Sequence, residues 1–204
     1  MEKKTKEELE QEIQEKVDRE RSRRDRAAAE VGEKPNVYRE IFDWIAVIVI
    51  AVLISFMLHT FVIVNATVPT SSMENTIMAG DRVIGSRLYY RRHEPQRGDI
   101  IMFDYPDDPR ILYIKRVIGL PGEHVEITGG TVYINGEPLD EPYLDVVTEG
   151  EWGPYDVPEG HYFMMGDNRN DSADSRYWQH PYLSRDGIVG KAVLKYWRGF
   201  ERFK

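Results

Sequence analysis

The alternation of apolar and polar positions divides the chain into three stretches. Over residues 1–40 charges crowd together, 11 Lys or Arg and 12 Asp or Glu, with only scattered aliphatics. Leu9, Ile13 and Val17 recur every four residues, and Glu12–Lys16, Glu15–Arg19 and Glu20–Arg24 have the spacing of ion pairs along a helix. This stretch reads as a solvated charged helix or a fluctuating tail, because it has too little apolar surface to build a core. The pattern then inverts. From Trp44 to Val64 run 21 residues without a formal charge, WIAVIVIAVLISFMLHTFVIV, enough to cross a bilayer as one helix. Only Ser55, His59 and Thr60 are polar within it. The divisions that follow are a charged tail at 1–40, a transmembrane helix at 41–64 and a further domain at 65–204.

Beyond residue 65 the apolar runs become short, β-branched and aromatic: RVIGSRLYY, DIIMFDY, ILYIKRVIGL, HVEITGGTVYING, GHYFMMG and GIVGKAVLKYW. Gly, Pro, Asn and Asp clusters separate them, as turns separate strands. Gly129-Gly130 and Asn135-Gly136 suit hairpin turns, which need positive φ at their centres. The fold class expected is mainly β, an antiparallel sheet or barrel-like domain behind one membrane helix.

Charge sets the orientation. Arg24, Arg26, Lys34 and Arg39 precede the apolar run within about twenty residues, whereas only Arg82 follows it at that range. The tail is therefore expected in the cytoplasm and residues 65–204 outside it, in a single-pass arrangement. A cleaved leader is the competing reading, since Val64-Asn65-Ala66 satisfies a small-x-small cleavage pattern, but forty residues is long for a charged leader. The net charge of −8 argues against nucleic acid as a partner. The absence of cysteine excludes thiol catalysis and disulfides.

Several chemical motifs fail on inspection. His93-Glu94 lacks the second histidine of HExxH, because position 97 is Arg, and no GxSxG elbow is present. The oxygen-rich stretch GDNRNDSADSRY at 166–177 has Arg169 and Ser172 where a calcium loop requires a ligand and a glycine. No metal and no cofactor are expected. Lys115 stands out more. In ILYIKRVIGL, Ile111, Tyr113, Lys115 and Val117 share one strand face, and Leu112, Ile114, Arg116 and Ile118 the other. Whichever face packs inward carries a cation with it. A buried lysine has a lowered pKa and, once neutral, can take a proton from a serine hydroxyl. A lysine that snorkels out at the sheet edge is the plainer alternative.

A serine just beyond an apolar span, a strand lysine 43 residues later and then a Gly-Asp-Asn loop form an ordered set. Together they resemble the bacterial type I signal peptidases, membrane-anchored Ser–Lys proteases, over about residues 42–197. That family's serine box, P-[ST]-x-S-M-x-P-T-[LI], is matched by Pro69 to Ile77. Gly80-Asp81-Arg82-Val83 resembles the next box. Arg97-Gly98-Asp99 with Tyr113 through Gly122 resembles the lysine box, and Gly166 through Arg176 the last, GDNRxxSxDSR. The chain departs from the pattern at Asn75, where proline is usual, at Asn170-Asp171, whose order is reversed, and at Gln179, where glycine is usual.

The resemblance implies a role for each matched residue. Ser72 would be the nucleophile and Lys115 the general base. Ser172 would hydrogen-bond and orient the lysine amine, and Thr70 would add a hydroxyl to the oxyanion hole beside the Ser72 N–H. Asp174 and Arg176 would form a structural ion pair. Val68, Pro69, Met73, Ile77 and Ile114 would line shallow substrate pockets, with Ser71 a spacer. It also implies signal peptides of exported preproteins as substrates, bound as an added strand, and the protein secretion machinery as a neighbour. Tyr196, Trp197 and Phe200 suit membrane lipid headgroups, as interfacial aromatics do, and equally suit core packing or a strand-end cluster. Two other readings stand beside the resemblance: a tethered self-cleaving Ser–Lys peptidase of the kind found in SOS-type repressors, and an inactive β-rich binding protein.

Overall fold

In the computed structural model the described residues are 6–30, 37–197 and 199–203. The chain divides into two compact units, Met1–Leu53 and Ile54–Lys204. In the first, helix α1 spans Lys6–Glu30. It carries the Arg19–Glu15 ion pair, 2.8 Å long, and exposes Ile13 and Val17. Helix α2, Val37–Met57, begins in this unit. With the π-helical turn Leu58–Val62 that continues it, α2 is long and apolar enough to cross a membrane, and none of its side chains is buried in the protein. An apolar helix near the N-terminus whose surface is left unburied by the described residues fits a membrane anchor. Lys34, one of the flanking cations, lies outside the described residues.

The apolar helix ends two residues earlier than the sequence pattern placed it. Ile63 and Val64 belong to strand β1, Ile63–Thr67, which pairs antiparallel with β2, Arg82–Ser86. The run FVIV is as well suited to a strand as to a lipid-facing helix. Burial of Val64 in a core with Met73, Ile77, Val83, Ile100 and Met102 decides between them.

The second unit is built from antiparallel pairings. Its strands continue as β3 (Ile100–Tyr105), β4 (Asp108–Gly119), β5 (His124–Thr128), β6 (Thr131–Ile134), β7 (Glu137–Pro138) and β8 (Trp152–Asp156). Then come β9 (His161–Met165), β10 (Leu183–Ser184), β11 (Ile188–Lys195) and β12 (Glu201–Arg202). The larger sheet has the order β1-β2-β11-β3-β4-β9-β10, with β12 added on β11; the smaller has the order β7-β6-β5-β8. Among the described residues no pairing joins β1 to β10, so the larger sheet is open rather than a closed barrel.

Local sequence explains the connections. Gly129 and Gly130 (φ 56° and 84°) join β5 to β6, and Asn135 and Gly136 (φ 52° and 84°) join β6 to β7, as two-residue hairpins with positive φ at both centres. The apolar pattern misses β8, as it misses β1 and the two-residue strands β7, β10 and β12. The β8 sequence WGPYD contains Pro154, which a strand tolerates at an edge, and β8 is an edge of the smaller sheet. The segment RVIGSRLYY is a strand only in its first half; Tyr89–Arg91 form a 3-10 turn that buries Tyr90.

Candidate active site

Ser72 sits on a loop between β1 and β2 that is tied at its base and pinned at its tip. The Val68 N–H donates to Asp81 O (2.9 Å) and the Gly80 N–H to Val68 O (2.7 Å), closing the loop beside the sheet. Inside it, Glu74 N–H reaches Ser71 O (2.9 Å) and Ile77 N–H reaches Met73 O (2.7 Å). Met73 and Ile77, both fully buried, insert into the core and hold the turn down. Asn75 at the tip has φ +83°, a left-handed conformation that asparagine tolerates better than most residues.

Lys115 approaches from β4. Its residue is 4% exposed, and its Nζ donates to Ser72 Oγ at 2.5 Å. Thr70 Oγ1 lies 3.3 Å from the same Ser72 oxygen. Burial lowers the Lys115 pKa to about 8, against the charges of Asp174 and Asp167, which raise it. The amine can therefore lose its proton under mildly alkaline conditions while in contact with a hydroxyl.

A third segment closes the site from behind. Gly166 packs so tightly that an added Cβ would collide with the Ser72 carbonyl oxygen and Ser172 Oγ. The Asn168 N–H donates to Ser72 O (3.2 Å), its side-chain amide to Ser71 O (3.2 Å), and Ser71 Oγ donates to Asp171 Oδ2 (2.7 Å). In front lies a groove of about 810 Å³ whose walls include Val68, Pro69, Leu112, Tyr113 and Ile114, with Ser72 and Lys115 on its floor. Among the described residues, no group of three or more His, Asp or Glu is arranged to hold a metal ion.

Residues 41–197 match the family model described as Signal peptidase, peptidase S26. The chain belongs to the S26 signal peptidase family. Signal peptidase I of Leptolyngbya laminosa is 38% identical over 177 residues, covering 83% of this chain and 86% of that protein. Probable signal peptidase I-2 of Synechocystis sp. is 40% identical over 154 residues (73% and 70%). Signal peptidase I of Bacillus licheniformis is 38% identical over 151 residues (69% and 81%). The protein is a serine peptidase that removes signal peptides, and the family is membrane-bound.

Within this signal peptidase the structure brings some of the expected site residues together and separates others. Asp174 and Arg176 form a buried two-point pair, Nε to Oδ1 and Nη2 to Oδ2, each 2.8 Å. Asp174 Oδ2 also accepts from the Gly166 N–H (3.0 Å), which extends the pair to the loop behind Ser72. Ser172 is buried there too, but its Oγ makes no hydrogen bond among the described residues. The lysine amine reaches Ser72 instead, and the Ser172 hydroxyl packs against Gly166, so the expected Ser172–Lys115 contact is absent. Val68, Pro69 and Ile114 line the groove, whereas Met73 and Ile77 do not; they are core anchors, drawn inward by their apolar side chains. Ser71 is a clasp to Asp171 rather than a spacer.

The sequence reading missed a second layer of buried charge. Lys115 and Arg116 of β4 are both buried, because β4 is covered on both faces from Ile114 onward. Arg116 pairs with Asp167 at two points (2.8 and 2.6 Å), and Thr76 Oγ1 donates to the same carboxylate. Arg169, whose side chain is fully buried, pairs with Glu141. A signal for the first pair was present: the strand pattern put a long cation on each face, and each needs an anion once buried.

Proposed function

We propose that the peptidase works as a Ser72–Lys115 dyad on preproteins with small residues at −1 and −3 before the cut, outside the cytoplasmic face of the membrane. The reading is carried by one observation: Lys115 Nζ and Ser72 Oγ are 2.5 Å apart with both residues buried. In the reacting state the neutral amine accepts the Ser72 proton while Oγ attacks the scissile carbonyl. The oxyanion forms toward the Ser72 N–H and the Thr70 hydroxyl. The lysine ammonium then returns its proton to the leaving amine, and water hydrolyses the acyl-enzyme by the same base.

An extended substrate would lie along the groove floor beside residues 68–72 and 112–115, with Val68, Pro69 and Ile114 limiting side-chain size. Asp174 with Arg176, and the buried Ser172, support the loop behind the nucleophile. The helix Val37–Val62 would be the single span, with the charged tail cytoplasmic and the β-rich unit outside, near the secretion machinery. Trp197 (53% exposed) and Phe200 (81%) suit contact with lipid headgroups, while the Tyr196 hydroxyl donates to Asn65 Oδ1 (3.1 Å) within the fold.

The test is cleavage of a preprotein by purified full-length protein in detergent. Ser72→Ala and Lys115→Ala should each lose processing by on the order of 10³-fold or more while remaining folded. Cleavage by Lys115→Ala at the wild-type rate would overturn the dyad.

A further inference from the structure

The connection from β7 to β8, residues 139–151, is long for a sheet connection and spends its polar groups on the 166–176 loop. Glu149 N–H donates to Asn170 Oδ1 (2.9 Å), and the Asn170 side-chain amide donates to Val147 O (3.1 Å). Its main contact is electrostatic. Arg169 Nη1 donates to Glu141 Oε2 (2.8 Å) and to Thr148 Oγ1 (3.3 Å), Nη2 donates to Glu141 Oε1, and Nε donates to Gly166 O (3.1 Å). The Arg169 side chain is fully buried and that of Glu141 only 9% exposed. A guanidinium at that depth is costly unless its charge and its N–H groups are matched, and Glu141 supplies the charge. Glu141 is itself braced by the Tyr143 hydroxyl (2.7 Å), whose ring lies 3.9 Å from the Arg116 guanidinium.

This places Glu141 at one end of a short rigid path. Glu141 fixes Arg169, and Arg169 fixes the carbonyl of Gly166. Gly166 packs against the Ser72 carbonyl so closely that a Cβ would not fit between them, and that carbonyl also accepts the Asn168 N–H. We propose that Glu141 is a positioning residue of the peptidase: through Arg169 it holds the 166–169 turn against the Ser72 carbonyl, and so fixes the direction of the Ser72 N–H and Oγ. The inference rests on the reading of Ser72 as nucleophile. It predicts an effect on the chemical step rather than on substrate binding, because the groove is lined by residues 66–72, 79, 111–115, 171 and 173, and neither 141–149 nor the 166–169 turn that Arg169 holds contributes a wall.

The experiment measures kcat and KM for preprotein cleavage by the full-length wild type, Ser72→Ala, Glu141→Gln and Glu141→Asp, per mole of folded protein, with the folded fraction read from thermal unfolding. Glu141→Gln keeps the shape and removes the charge; it should lower kcat by about 10- to 100-fold with KM unmoved. Glu141→Asp should recover part of that loss. A Glu141→Gln enzyme with wild-type kcat, or one whose loss lies wholly in KM, overturns the positioning role. If the Gln variant does not fold, Glu141→Asp decides by the same split, since it retains the buried charge pair but shortens one arm. Ser72→Ala separates the two readings. Its activity at the wild-type rate overturns the nucleophile assignment, whereas its inactivity beside a normal Glu141→Gln overturns only the positioning role.

Discussion

Arg116 grips Asp167 through two parallel hydrogen bonds, one residue along β4 from Lys115. The Asp167 charge raises the Lys115 pKa, and a guanidinium paired to that carboxylate would weaken its field at the amine. Arg116→Met would leave a buried carboxylate unpaired, at a cost of about 3–5 kcal/mol in stability. It should also move the rise of kcat/KM to higher pH. Denaturant unfolding and a pH–rate profile measure the two effects; an unmoved profile would remove the electrostatic link.

The lysine makes its own prediction about pH. Burial is the main cause of its lowered pKa, about 8 in the folded protein against 10.5 for an ordinary lysine. The free amine, and with it the rate, should rise through about pH 8 and level off above it. Stability should follow with a defined sign. Between pH 8 and 10.5 the unfolded chain binds the proton that the folded protein has lost, so stability rises with pH across that window. The burial penalty is fully present below it, on the order of 3 kcal/mol. Lys115→Met should therefore be more stable than the wild type at pH 7, with the difference shrinking from pH 8 to 10.5. A rate optimum near pH 5 would contradict a lysine base.

Asn75 invites a replacement that the structure advises against. Proline, usual at this position in the serine box, holds φ near about −65°, whereas Asn75 has φ +83°. Asn75→Pro should destabilise the protein by more than about 1 kcal/mol and slow cleavage, because the turn that carries Ser72 must rearrange. Asn75→Gly, compatible with this φ, should change stability by only a few tenths of a kcal/mol and leave kcat near wild type. Thermal unfolding and cleavage rates decide; a more stable, fully active Asn75→Pro would show that the turn has a second accessible form.

Met73 separates core from groove. Fully buried beneath the serine loop, it should cost about 2–5 kcal/mol on truncation to Ala. The choice of cleavage site should stay the same, since Met73 forms no part of the groove wall. Mass spectrometry of the products from a panel of −1 and −3 substrate variants tests this, and a broadened choice would return Met73 to the pocket.

The longer strands and the two residues that meet at Ser72 and Lys115 were legible in the sequence for the same reason: each is written in a contiguous run. The β-branched segments, the hairpin pairs Gly129-Gly130 and Asn135-Gly136, and the serine and lysine boxes can be read without knowing what packs on them. The rest depends on partners far apart in the chain. Arg169 finds Glu141 28 residues away, and Arg116 finds Asp167 51 residues away; neither spacing has a period to betray it. Met73 and Ile77 carry no mark distinguishing a pocket wall from a core anchor, because an apolar side chain suits both. Ile63 and Val64 suit both a membrane helix and a strand, and only the pairing with β2 assigns them.

That pairing also bears on how a protease escapes its own chemistry. Val64-Asn65-Ala66, the small-x-small sequence the chain carries just after its apolar helix, lies inside β1, with each residue opposite a β2 partner from Val83 to Gly85. Cleavage needs an extended strand free to enter a groove; this one is already occupied, and its first residue is embedded in the core. Freeing it would mean unpicking the sheet edge that supports the Ser72 loop, so the act of exposing the site would dismantle the blade. The fold thus holds this small-x-small sequence in a sheet and does not present it as a free strand.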